Sequence, residues 1–142
     1  MNSASGLLPA PLARELEARG FESMWLPEHA HIPTSRTSVH PSGDTLPEGY
    51  LHMMNPFVSL AAASAVTERL ILGTAVSLVL EKNLIDLACE VATLDVVSGG
   101  RVVLGVGVGW NAEELADHRP ELPFRSRYSA LRERVEIGRA HV

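Results

Sequence analysis

The sequence predicts an α/β fold with parallel strands, and three observations carry that expectation. Residues 70–80 are continuously apolar and rich in β-branched side chains, the pattern of a strand buried on both faces. Helical and strand-like segments alternate along the chain, an order that requires parallel strands joined by crossovers. The residues able to carry chemistry fall just after strands, where ligands bind in parallel α/β folds.

Each element has a local reason. Pro11 stands where a first helical position is expected, Leu12 and Leu16 share a face, and Gly20 marks the stop. Residues 21–26, Phe-Glu-Ser-Met-Trp-Leu, read as a short strand closed by Pro27. The segment that follows carries Pro27, Pro33, Pro41 and Pro47 with little periodicity, and a loop that long is a functional cover or disordered. Asn55-Pro56 opens a second helix, with Phe57, Leu60, Ala61 and Ser64 at helical spacing. After the strand at 70–80, Asn83 caps a third helix with Asp86 at its N3 position, and Leu84, Leu87, Ala88, Val91 and Leu94 form the apolar stripe. Gly99 ends that helix, residues 102–106 form the next strand, and residues 126–135 form a further helix. Glu90, Asp95 and the pair Glu113-Glu114 read as solvated helix faces or caps.

Bulk properties narrow the function. A formal charge of −5 without a Lys/Arg cluster argues against a nucleic-acid partner. Lys82 is the only lysine, and the arginines are scattered. The apolar runs at 57–66 and 70–80 are interrupted by Thr67-Glu68-Arg69 and are too short to span a bilayer. The single cysteine, Cys89, precludes an internal disulfide and suits a reducing cytoplasm; it reads as a small helix residue rather than a reactive thiol. The first residues hold no basic signal-peptide region.

Two segments offer chemistry. Trp25-Leu26-Pro27-Glu28-His29-Ala30-His31 sets two histidines and a carboxylate at a strand exit, and an imidazole there can move a substrate proton. His29 and His31 also fit the His-x-His of a metal-dependent barrel hydrolase, although no further ligand set follows, and no metal ligands are assigned. The second segment is Ser98-Gly99-Gly100-Arg101 running into Gly105-Val106-Gly107-Val108-Gly109-Trp110-Asn111. Its glycines let backbone approach a ligand, but the spacing is not that of a dinucleotide fingerprint, and Gly105 is equally well explained by close packing.

These residues together resemble the luciferase-like flavin and deazaflavin oxidoreductases, and within them the branch using coenzyme F-420. The matching runs are residues 16–29, Thr67-Glu68-Arg69-Leu70-Ile71-Leu72-Gly73-Thr74, and 88–111, with the likeness extending over nearly all of residues 12–136. The resemblance implies a (β/α)8 TIM barrel with the cofactor ring at its C-terminal mouth, supported by a non-prolyl cis peptide at Ala75-Val76. It further implies that His29 exchanges the substrate proton, and that Ala75, Val76, Gly107, Gly109, Trp110 and Asn111 face the cofactor. Coenzyme F-420 is the expected cofactor and FMN, with O2 chemistry, the alternative. Trp110 stands where some sugar-phosphate dehydrogenases of the family carry a carboxylate, which disfavours a sugar phosphate. The expected partner is a small-molecule substrate, in a homo-oligomeric cytoplasmic enzyme.

Only three strands are readable, against eight in about 250 residues for a closed barrel, so residues 1–136 are expected to be a partial barrel, about strands 2–4 with their helices, cut at both ends and inactive alone. Residues 137–142 back-translate to ATCGGAAGAGCACACGTC, a sequencing-adapter sequence, and are expected to lie outside the fold.

Overall fold

A computed structural model describes residues 2–43 and 45–139. Helix α1 (Pro9–Ala18) leads into strand β1 (Ser23–Leu26), followed by the long loop, helix α2 (Pro56–Ser64) and strands β2 (Ile71–Thr74) and β3 (Ser77–Leu78). Helix α3 (Leu84–Ser98), strands β4 (Val102–Val103) and β5 (Val106–Gly107), and helices α4 (Ala112–His118) and α5 (Arg127–Arg139) complete the order.

All pairings are parallel. β2 lies between β1 and β4, with Trp25 opposite Gly73 and Gly73 opposite Val103; β3 pairs separately with β5. One face of the sheet packs on the helices: Met24, Leu26 and Leu72, with Val79 from the turn after β3, join Ala13, Phe57, Leu60, Ala63, Leu87 and Leu94 in a single core. The opposite face carries Trp25 and Val103, each 44% exposed, and the Trp25 ring fills the space over Gly73 where a Cβ would stand. Helices on one side and an uncovered inner face on the other make this part of a barrel wall.

Several local expectations hold for the reasons given. Asn55 Oδ1 accepts from the Val58 amide at 3.1 Å, and Asn83 Oδ1 accepts from the Ile85 and Asp86 amides. Gly99 ends α3 at φ +73°, in the left-handed region that closes a helix without a Cβ penalty. Arg101, at the head of β4, ties the wall together: its guanidinium donates to the carbonyls of Ser64, Thr67, Leu70 and Ser98 and to the Thr67 hydroxyl.

Others are corrected. The proline that starts α1 is Pro9, with Pro11 two residues further on, still in the first turn; a helix accepts either because its first amides have no internal partner. The first strand starts at Ser23 rather than at residue 21. The apolar run at 70–80 is not one strand: it breaks at the cis peptide Ala75-Val76, resumes as β3, and turns through a 3-10 segment at Val79–Glu81. The expected strand at 102–106 divides likewise into β4 and β5, because Gly105 presses its backbone against Thr74 and gives its carbonyl to the Ser77 amide and the Thr74 hydroxyl. The last helix begins at Arg127 rather than at residue 126, after a 3-10 turn at Phe124–Ser126, and runs to Arg139; the helical geometry of residues 137–139 does not bear on the adapter origin expected for residues 137–142. The rest of that expectation, residues 140–142, lies outside the described residues. Helix α4 was absent from the sequence reading, since seven residues give too little periodicity to register.

Candidate active site

The loop between β1 and α2 folds back across the strand ends. It holds a 3-10 turn at Glu48–His52 and is pinned at its far end by the bridge between Ser3 and Met53. At its near end Glu113 of α4 accepts from the Thr37 amide and hydroxyl, at 2.6 and 2.8 Å, and from the Ser38 amide. Hydrogen bonds from the Ser38 side chain first, then from Thr37, hold the Glu113 carboxyl down at about 2. The loop is therefore a cover, the first of the two roles its length allowed.

Beneath it lies a cavity of about 280 Å3 at the ends of β1, β2 and β5. His29, Ala75, Val76, Gly109 and Trp110 all line it, joined by Tyr50 and His40 from the cover. Four rings crowd there: the His29 centroid lies 5.3 Å from Tyr50 and 5.7 Å from Trp110, and His40 lies 4.9 Å from Tyr50 and 5.3 Å from Trp110. Gly107 and Asn111 are beside the cavity with other contacts. A Cβ on Gly107 would meet Val76 Cγ2 at 2.2 Å, so this glycine admits the Val76 side chain. Asn111 is 1% exposed and caps α4, its Oδ1 accepting from the Glu114 amide at 3.2 Å.

His29 has both nitrogens engaged. Trp110 Nε1, which can only donate, points its N–H at His29 Nε2 from 3.2 Å, so Nε2 carries the lone pair. The proton is then on Nδ1, which donates to Glu114 Oε2 at 2.6 Å. Glu114 is 1% exposed, which overturns its reading as a solvated helix face: helix α4 turns it inward, and the imidazole gives it the partner a buried carboxylate requires. Glu28, the residue before His29, is also buried. Its Oε2 accepts from the Ser77 hydroxyl and the Leu78 amide, both at 2.8 Å, and its Oε1 meets Lys82 Nζ at 2.9 Å. Glu28 thereby clamps the end of β1 to β3 and aims His29 at the cavity.

His31 goes elsewhere, to Asp117 at 2.9 Å, with its ring 5.2 Å from His118. The two histidines of the metal-hydrolase reading thus serve different partners, and among the described residues no group of three or more His, Cys, Asp or Glu side chains is arranged to hold a metal ion. Cys89 is exposed on α3, far from these contacts in sequence and facing the groove between α2 and α3. Among the described residues no helix is long and apolar enough to cross a membrane.

The luciferase-like monooxygenase family matches residues 10–142, more than nine-tenths of the chain. The chain belongs to the luciferase-like monooxygenase family. The uncharacterized protein Rv0953c of Mycobacterium tuberculosis is 49% identical over 141 residues, covering 97% of this chain and 49% of that relative. An F420-dependent glucose-6-phosphate dehydrogenase of Microbacterium testaceum is 35% identical over 124 residues, covering 85% of this chain and 32% of its own length. The luciferase-like chain described here therefore spans about half, or less, of the relatives it matches. Among solved structures, the FMN complex of the oxygenating constituent of 3,6-diketocamphane monooxygenase from Pseudomonas putida superposes with a TM-score of 0.72 at 21% identity, over 92% of this chain and 32% of that one. The monooxygenase RslO1 from Streptomyces bottropensis also gives 0.72, at 26% identity, covering 92% of this chain and 35% of that one. The wall of parallel strands is thus part of a luciferase-like TIM barrel, and flavin or deazaflavin oxidoreductases and monooxygenases are the activities of the family.

Sequence reasoning located the strand exits and missed Glu114, Tyr50 and His40. A signal for Glu114 existed: Asn111 caps a helix whose third residue is Glu114, as the spacing N-x-x-E suggests.

Proposed function

We propose that this chain supplies the cofactor-ring and proton-transfer part of an oxidoreductase that passes hydride between the deazaflavin coenzyme F-420 and a small organic substrate. The observation that carries the reading is the orientation of His29, its Nδ1 anchored on buried Glu114 and its Nε2 at the cavity. The surface around it fits a flat tricyclic ring: Ala75 and the 39% exposed Val76 offer apolar support, and Gly109 presents backbone without a Cβ. Bound there, the deazaflavin would accept or donate hydride, and the protein contributes orientation and electrostatics.

His29 Nε2 is the atom that takes or gives the substrate proton, with Trp110 yielding its hydrogen bond to the substrate oxygen's proton. Glu114 keeps Nδ1 protonated while Nε2 accepts, which sets the tautomer needed for a base. Among the described residues no Lys or Arg lines the cavity, so the cavity wall present in this chain favours an uncharged substrate over a sugar phosphate.

FMN is the second reading, favoured by the fold likeness to an FMN-bound monooxygenase. Fluorescence titration of this chain and of the longer Mycobacterium tuberculosis relative with each cofactor decides between them. Saturable F-420 binding that weakens on Val76→Arg is expected. Tight FMN binding with no affinity for F-420 rejects the proposal.

A further inference from the structure

His40, on the cover, carries a hydrogen-bond donor that complements the acceptor on His29. It sits in a narrow turn, where its carbonyl accepts from the Gly43 amide at 2.9 Å. In the same turn the Ser42 amide donates to His40 Nδ1 at 3.1 Å. A backbone amide can only donate, so Nδ1 holds the lone pair and the proton of the neutral ring stands on Nε2. Among the described residues that N–H has no partner, and the ring lines the cavity.

His29 is the opposite tautomer. Its N–H is spent on Glu114 from Nδ1, and its bare Nε2 is met by the Trp110 indole. Each histidine touches both Tyr50 and Trp110, and no ring contact joins the two imidazoles themselves, so they stand on opposite sides of that aromatic pair. A group placed among the four rings therefore meets an acceptor from one histidine and a donor from the other. A hydroxyl answers both, donating its proton to His29 while its oxygen accepts from His40. The Tyr50 hydroxyl also has no partner among the described residues. A phenol rotates and both donates and accepts, whereas the Ser42 amide fixes what His40 can do.

We infer, resting on the function proposed above for the hydride step, that His40 Nε2–H is the donor that holds the substrate oxygen, so that the cover selects substrates whose reacting carbon bears oxygen. In the oxidising direction the C–H bond breaks with its electron pair passing to the deazaflavin ring, the O–H proton passes to His29 Nε2, and a C=O bond forms. The oxygen gains negative charge as its proton leaves, and the His40 hydrogen bond strengthens on it. His40 keeps its own proton throughout. In the reducing direction the same N–H polarises the carbonyl while His29 returns the proton.

The test needs no cofactor. Histidine ring 15N shifts of the full chain are recorded at alkaline pH, where imidazoles are neutral, alone and with cyclohexanone or methylenecyclohexane, a probe of the same shape without oxygen. His40 is expected to carry its proton on Nε2 and His29 on Nδ1. Cyclohexanone is expected to move the His40 Nε2 signal saturably, and methylenecyclohexane to leave it in place. His40→Phe keeps a ring beside Tyr50 and Trp110 but has no N–H. In that variant cyclohexanone affinity, read at the Trp110 indole N–H, is expected to fall about fivefold while methylenecyclohexane binds as before. A His40 proton on Nδ1, or a His40 signal that cyclohexanone does not move, overturns the assignment. So does an equal loss of both probes in His40→Phe, which marks a ring that only packs. The wild-type shifts decide even where the variant fails to fold. Failure of F-420 to bind, with the His40 response to cyclohexanone intact, rejects the cofactor and not the donor.

Discussion

Arg101 offers the most direct test of how the barrel wall is held. Its guanidinium makes five hydrogen bonds, from Nε to the Ser98 carbonyl at 2.6 Å, from Nη1 to Leu70 O at 2.8 Å and Thr67 Oγ1 at 3.0 Å, and from Nη2 to Ser64 O at 3.1 Å and Thr67 O at 3.0 Å. Those acceptors belong to the end of α2, the start of β2 and the end of α3, so one planar fork joins three elements. Arg101→Met keeps the stem and leaves four carbonyls without a donor, each worth about 1–3 kcal/mol if water is kept out. Arg101 is only partly buried, so water reaches some of them, and a loss of about 3–5 kcal/mol is expected. Arg101→Lys, a single point of three donors, recovers about two of the acceptors' bonds and is expected to lose about 2 kcal/mol. Urea denaturation followed by far-UV circular dichroism measures both, as a shift in midpoint at unchanged slope. An Arg101→Met variant within about 1 kcal/mol of wild type, or an Arg101→Lys variant equal to it, would refute the fork as the tie.

Three further outcomes follow from the same contacts. By burial first, and then by repulsion from Glu114 and Glu28, Glu81 is raised from 4.5 to about 8, so its contribution to stability is intact below pH 4.5 and is lost as pH rises through about 8; the interval sets a ceiling of about 5 kcal/mol, at about 1.4 kcal/mol per pH unit. Glu81→Gln should remove that alkaline loss, and a wild type equally stable at pH 5 and pH 9 contradicts the burial argument. Glu113 titrates in the opposite sense: its stabilisation is present above pH 4.5 and lost as pH falls towards about 2, and Glu113→Gln should free the cover at neutral pH, read as faster proteolysis within residues 31–43. Gly105→Ala and Gly107→Ala should differ in whether they can be rescued. The first puts a Cβ 2.1 Å from the Thr74 carbonyl oxygen, which is backbone, and the second meets the side chain of Val76 at 2.2 Å. Val76→Ala is therefore expected to restore about 1–3 kcal/mol to Gly107→Ala and nothing to Gly105→Ala in thermal melts.

Much of the fold was legible because its signals are local. Asn55-Pro56, Asn83 and Gly99 mark helix ends through hydrogen bonds and dihedral angles that involve neighbours a few residues away. The strand at 70–80 was legible as buried and not as broken: apolarity reports burial on both faces, while the division at Ala75-Val76 depends on Gly105 and Gly107 packing from the next strand. Helix α4 was too short for its period to register.

What the sequence by itself determined was the order of elements, the parallel sheet, and the strand exits at His29, at Ala75-Val76 and at Gly109-Trp110, since periodicity, capping and turn chemistry are short-range. Only the tertiary structure decided the chemistry of the site. Glu114 and His29 stand 85 residues apart in the chain, and α4 must dock beneath the cover before one can hold the other's proton. Glu81 gains its proton for the same reason: a glutamate in an isolated turn ionises freely, and burial beside Glu114 and Glu28 is a property of the assembled wall.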